Sequence, residues 1–169
     1  MVRERIEIDP QAPPVHVSGR MLNELCAHAL EALPEECCGL ISGDARVRYH
    51  HVHRCRNEMT QRHRLDPMTY PRDGTQAFVM NELDCLRVAE QTRENAEHVT
   101  AIYHSHVNFG LYFSDLDQKF VLNSAFPFPG ADHIVISVVE QRVRGLGMFE
   151  HNPATGTFRG RVLAPEVVA

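Results

Sequence analysis

Two histidines one residue apart, His104 and His106, stand in the stretch "YHSHVNFGLYFSDLD". Eleven positions after the second comes Asp117, with Ser114 three residues before it. Imidazole and carboxylate are donors that a borderline divalent ion such as zinc accepts. On a strand, residues i and i+2 share a face, so His104 and His106 can converge on one ion. A loop that returns the chain to a helix start at Ser114 would bring Asp117 back to that face. Three protein ligands leave a fourth tetrahedral position for water, the pattern of catalytic zinc.

The pair alone is weak evidence. With 11 histidines in 169 positions, chance supplies roughly one such pair. The chain holds its own control in His51 and His53. Eleven residues past His53 stands Arg64, which cannot be a third ligand, and this pair with neighbouring His50 reads as a solvated strand face. Ser114-x-x-Asp117 is also the pattern of a helix capping box, which needs no metal. Spacing leaves these two roles open.

The elements that must position these residues can be read in order. Residues 1–15 form a polar, proline-punctuated arm with a short edge strand at Arg5–Ile8, and a single domain follows over 16–165. Ser18 caps a helix running to Leu33, with Met21, Leu22, Leu25, Ala29, Leu30 and Leu33 on one face. Pro34 ends it. Glu35–Gly43 is a buried strand, Gly43-Asp44 a turn, and Arg46–Cys55 its hairpin partner. Asn57–Thr75 is a surface loop with a short strand at Arg64–Leu65. Asn81 caps a helix over Glu82–Glu97, with Leu83, Leu86 and Ala89 inward. Val99–His106 is a strand by its β-branched and aromatic content. Val107–Phe113 is a loop, and Ser114 starts a helix to Ala125. Strands flanking Gln141 form a hairpin, and Thr157–Leu163 closes the chain. The pattern is α/β (α+β): an antiparallel-rich mixed sheet with two or three helices packed on it.

Composition narrows the function. The chain is 43% hydrophobic and 23% charged, long enough for one core. A net charge of -5 argues against a general nucleic-acid binder. No apolar run approaches membrane-spanning length, and the N-terminus lacks a secretory h-region. Five cysteines with no CxxC pair suit a reducing cytoplasm. Cys37 and Cys38 lie in an apolar run and read as packing rather than as a nucleophile. His98 and Cys85 do not compose the signature of a zinc deaminase.

Taken together, these residues resemble the JAMM, or MPN-plus, metallopeptidases. That family carries an upstream glutamate, then H-x-H, ten residues and Asp, with Ser three before the Asp. Here the upstream element is "LPEECCGLISG", which places the glutamate at Glu36, and "RLDP" at Arg64–Pro67 after Asn57 is similar to compact prokaryotic members. The similarity runs from about residue 18 to residue 150. It implies one cytidine-deaminase-like domain with a curved sheet. It implies zinc on His104, His106 and Asp117, with Glu36 as general base and Ser114 as oxyanion donor. The implied activity is hydrolysis of a peptide or isopeptide bond after the C-terminal glycine of ubiquitin or a ubiquitin-like protein. Some relatives instead release an amino acid such as cysteine from a sulfur-carrier protein of that fold, and members lacking the metal residues serve as interaction scaffolds. The expected partner is a glycine-tailed carrier, with no nucleic acid and no membrane. One position departs from the family pattern: Val107 stands where a proline usually follows the second histidine, which bears on loop rigidity and substrate fit.

Overall fold

A computed structural model describes residues 4–167. The first three residues of the expected arm lie outside it. In chain order the elements are β1 (Arg5–Glu7), β2 (Val15–Val17), α1 (Gly19–Glu31), β3 (Cys38–Gly43) and β4 (His51–Cys55). Then come α2 (Met59–Leu65), α3 (Glu82–Glu94), β5 (His98–Val107), β6 (Tyr112–Ser114) and α4 (Asp115–Val121). The chain closes with β7 (Asp132–Val139), β8 (Arg142–Asn152) and β9 (Thr157–Pro165). Seven strands form one sheet in the order β2-β9-β8-β7-β5-β3-β4, and β1 pairs with β6 as a separate two-stranded ribbon. All neighbours in the large sheet are antiparallel except β5–β7 and β2–β9. No helix among the described residues is long and apolar enough to cross a membrane.

The sheet is covered on both faces. Met21, Leu25 and Ala29 of α1 pack on Tyr103, Ile134 and Ile136. Val88 of α3 packs with Leu40, Cys55 and Ile102 on the other side. A third cluster joins Ile6 of the arm to Phe113, Val135 and Phe149, so the ribbon β1–β6 is docked on the sheet. Alternation along β5 therefore sends Ala101 and Tyr103 toward α1 and Ile102, His104 and His106 the other way.

Several expectations need correction. The segment expected as a strand at Arg64–Leu65 is the last turn of α2. Asn57 sets this up: its side-chain oxygen accepts from the backbone N–H groups of Met59 and Val79, at 2.9 and 3.1 Å. A helix start is thereby fixed with no glycine or proline to stop it before Asp66. This brings the helices to four among the described residues. In α3 the inward face is Asp84, Val88 and Thr92, while Leu83, Leu86 and Ala89 are exposed. The helix phase is set by Asp84, whose carboxylate accepts from the backbone N–H and the guanidinium of Arg56 at 2.9 and 3.0 Å. Leu30 of α1 is exposed rather than packed, and β4 begins at His51 because Arg46–His50 form the turn. Helix α4 stops at Val121, and β2 and β6 are strands that the sequence pattern did not signal.

Gly39 pairs with Tyr103, the neighbour of the first histidine. A Cβ there would lie 2.5 Å from the Tyr103 ring and against the carbonyl of His53. The ring is fully buried, with its hydroxyl 2.7 Å from His28 Nδ1, and has no room to retreat. Gly39→Ala is expected to cost about 3 kcal/mol, the upper range for overpacking a core, read as a lowered urea midpoint at unchanged slope.

Candidate metal centre

His104 and His106 sit at the C-terminal end of β5, buried and on one face. Their Nε2 atoms are 3.2 Å apart. Asp117 Oδ1 lies 3.4 Å from His104 Nε2, and Oδ2 lies 3.8 Å from His106 Nε2. Ligand atoms 2.0–2.1 Å from a tetrahedral ion stand roughly 3.3–3.4 Å from one another. One ligand atom from each of the three residues lies within 4.8 Å of the other two, so the donors converge toward one face of such a site, and two imidazoles with a carboxylate are a donor set zinc accepts.

The tautomer of His106 agrees. His106 Nδ1 is 3.0 Å from the carbonyl of Gly110, so that nitrogen carries the proton and Nε2 keeps its lone pair. Phe78 stacks on the His104 ring at 4.6 Å between centroids. Burial pushes His104 down to about 4, which keeps it a neutral ligand. Burial works to raise Asp117, yet His104, His106 and Ser114 outweigh it and hold the carboxyl well below the usual carboxylate range.

Ser114 and Asp117 do form the capping box. Ser114 Oγ accepts from Asp117 N at 3.1 Å, while Asp117 Oδ2 accepts from Ser114 N and Ser114 Oγ at 2.9 and 2.7 Å. The two roles left open by spacing are compatible because a carboxylate has two oxygens. Oδ2 closes the cap, and Oδ1 is the atom facing His104. The hydroxyl proton of Ser114 points at Asp117, so donating to an oxyanion requires it to turn.

Glu36 lies two residues before β3 rather than in it. Its backbone is clamped: its N–H donates to Gly74 O at 2.7 Å, and its carbonyl accepts from Asn57 Nδ2 at 3.1 Å. Cys37 N donates to Ser105 Oγ at 2.8 Å, and Ser105 N donates to Cys37 O at 3.1 Å. These bonds tie the Glu36 segment to the residue between the two histidines. The side chain opens into the same cleft of about 570 Å³ as His104, His106, Ser114 and Asp117. Glu36 is only 4% exposed. Burial pushes its carboxyl up to about 8, with His106 lowering it and Asp117 raising it.

Cys37 and Cys38 are buried, and burial raises both thiols, Cys37 to about 12. Neither is a thiolate nucleophile. At the departure from the family pattern, Val107 continues β5 opposite Val138. The chain turns one residue later at Asn108, which has φ 60°. Asn108 N donates to Val138 O at 2.7 Å, and Ser137 Oγ donates to Phe109 O at 2.7 Å. Hydrogen bonds supply the stiffness that a proline ring would give. The stacking Phe78, the Gly110 carbonyl and the clamp by Gly74 had no signal in spacing or periodicity, because each arrives from a loop.

The profile of the prokaryotic homologs of the JAB domain (Prok-JAB) matches residues 18–146. A protein from Desulfitobacterium hafniense superposes with a TM-score of 0.65 at 20% identity, over 89% of this chain and 92% of that one. One from Salinibacter ruber gives 0.58 at 23% identity, over 90% and 92%. A JAB1/MPN domain protein from Archaeoglobus fulgidus gives 0.48 at 14% identity, over 90% and 100%. Comparison with curated proteins finds no significant match. The first two structures establish a shared fold, and the profile covers both the Glu36 segment and the histidine–aspartate stretch. The chain belongs to the prokaryotic branch of the JAB domain family, the JAMM/MPN group.

Proposed function

We propose that this chain is a zinc-dependent hydrolase that cuts the peptide or isopeptide bond after the C-terminal glycine of a ubiquitin-like protein. The observation that carries this reading is Glu36, a buried carboxyl pushed up to about 8 in the same cleft as three metal-compatible donors. Buried acids with perturbed ionisation in a cleft are the groups that acid–base chemistry uses.

His104, His106 and Asp117 would hold the ion. Zinc supplies, when bound, an acidified water at neutral pH and polarisation of the scissile carbonyl. Glu36 takes a proton from the attacking water and delivers it to the departing amine as the C–N bond breaks. The Ser114 hydroxyl turns from Asp117 to donate to the oxyanion of the tetrahedral intermediate. Phe78, Phe109, Tyr112 and Phe120 wall the cleft. Flat aromatic walls suit a thin, extended glycine tail and disfavour ordinary side chains.

A second reading, release of a single amino acid from a sulfur-carrier protein, is favoured by one feature. Arg72 also lines the cleft and forms no ion pair among the described residues. A free carboxylate just past the scissile bond would suit it. A scaffold role is disfavoured because every proposed catalytic position is filled.

The test uses purified protein loaded with zinc and ubiquitin-like substrates extended past the terminal glycine by a linear residue or a lysine linkage. Cleavage after the glycine is expected, lost on chelation and restored by zinc. Zinc-loaded protein that cuts neither substrate would overturn the reading.

A further inference from the structure

We propose a second metal site on the edge of the sheet, formed by His50 Nδ1, His51 Nδ1 and Glu97 Oε1 and taking a borderline divalent cation such as zinc. The histidines were expected to be a solvated face, and their rings are about half exposed. They are nevertheless gathered on one carboxylate. Glu97 Oε1 lies 3.1 Å from His50 Nδ1 and 3.0 Å from His51 Nδ1. The two ring centroids are 3.9 Å apart, with the planes tilted by 31°. The three donor atoms all fall within 4.8 Å of one another.

The backbone of each ligand is fixed before any ion arrives. His50 N donates to Ser42 O at 2.8 Å, and His51 pairs with Ser42 across β3–β4. Glu97 N donates to Thr92 O at 2.8 Å, just after Ala96 turns the chain with φ 55°. The Glu97 side chain is 7% exposed, in contrast with the rings above it. Its other oxygen, Oε2, accepts from Ser42 Oγ at 2.6 Å, and that hydroxyl in turn accepts from His53 Nε2 at 2.8 Å. A ligating carboxylate is typically oriented by such a hydrogen bond. Oε2 also lies 3.1 Å from His51 Nδ1, so that ring faces both oxygens of the carboxylate. A cation held by the two Nδ1 atoms and Oε1 would take the place of the protons between them, while Oε2 keeps its bond from Ser42. The exposed side of the rings leaves further coordination positions to water.

This site is separate from the first. Glu97 precedes β5, while His104 and His106 end it. Seven residues of strand span roughly 20 Å, so one ion cannot serve both. An ion on the edge would tie the β3–β4 hairpin to the joint between α3 and β5.

The experiment is equilibrium dialysis of the chelator-stripped full chain against micromolar zinc, with bound metal counted by elemental analysis. The wild type is expected to take two equivalents, and the double variant His50→Ala/His51→Ala and Glu97→Gln one each. Long-range proton–nitrogen spectra of the zinc-loaded wild type provide a readout that does not depend on any variant folding. They should show zinc on Nδ1 of His50 and His51, in contrast with Nε2 of His104 and His106. A wild type that takes one equivalent, variants that still take two, or no Nδ1 shift at His50 and His51 would overturn the proposal.

Discussion

Glu36→Gln should keep zinc and lose hydrolysis by roughly 10²–10⁴-fold, the usual contribution of a positioned acid–base group. Glutamine preserves shape and burial but cannot take a proton. Metal should persist because Glu36 is not among the three convergent donors. The same change has a second signature in the metal-free protein. The Glu36 carboxyl is raised from 4.5 to about 8 by burial, so the folded state keeps a proton that the unfolded chain has released. Unfolding then releases a proton, and stability falls as pH rises between those values. The penalty is on the order of a few kcal/mol and is complete above pH 8. Glutamine carries none of it. Stripped of metal, Glu36→Gln should match the wild type in urea midpoint near pH 4 and exceed it at pH 9. Retained cleavage would remove Glu36 as the base, whereas lost zinc would place it among the ligands.

How much of this was legible in the sequence depended on how local each cause is. Ser18, Asn81 and Ser114 cap the helices their positions announced, because a cap is decided within three residues. The β7–β8 hairpin turns at Glu140 and Gln141, with φ 52° and 61°, where the sequence placed it. The spacing of His104, His106 and Asp117 foretold a convergence that the donor distances now display. What was not legible came from partners far along the chain. Arg56 fixes the phase of α3 through Asp84, which turns Leu83 and Leu86 outward against their hydropathy. Asn57 converts an expected loop into α2 by bonds that also reach Val79 and the Glu36 carbonyl. The surface histidines found Glu97 some forty-six residues away. Periodicity carries no information about such pairings, since a side-chain bond across the fold leaves no period.

Asp117→Asn and Ser114→Ala should come apart, and the separation decides between a helix cap and a metal ligand. Asparagine can still accept the Ser114 N–H bond, so α4 keeps most of its cap. The anionic donor is gone, however, and zinc affinity should fall at least about 100-fold, beyond the 10–100-fold typical of groups behind the ligands. The Asp117 carboxyl is held well below its usual range in the folded state by His104, His106 and Ser114, against its burial. Its ionised form therefore stabilises the metal-free fold above the ordinary carboxylate range and loses that effect on acidification. Asp117→Asn should be less stable than the wild type at neutral pH, with the difference closing in strong acid. Ser114→Ala removes one capping bond and should cost about 1 kcal/mol at any of these pH values. It leaves all three donors in place, so zinc should stay bound while hydrolysis falls by about 10²–10³-fold if the hydroxyl serves the oxyanion. Metal content by elemental analysis, urea midpoints and single-turnover cleavage read the three effects independently. Were Asp117→Asn to bind zinc as tightly as the wild type, Asp117 would be a cap alone and the centre would have only two protein ligands.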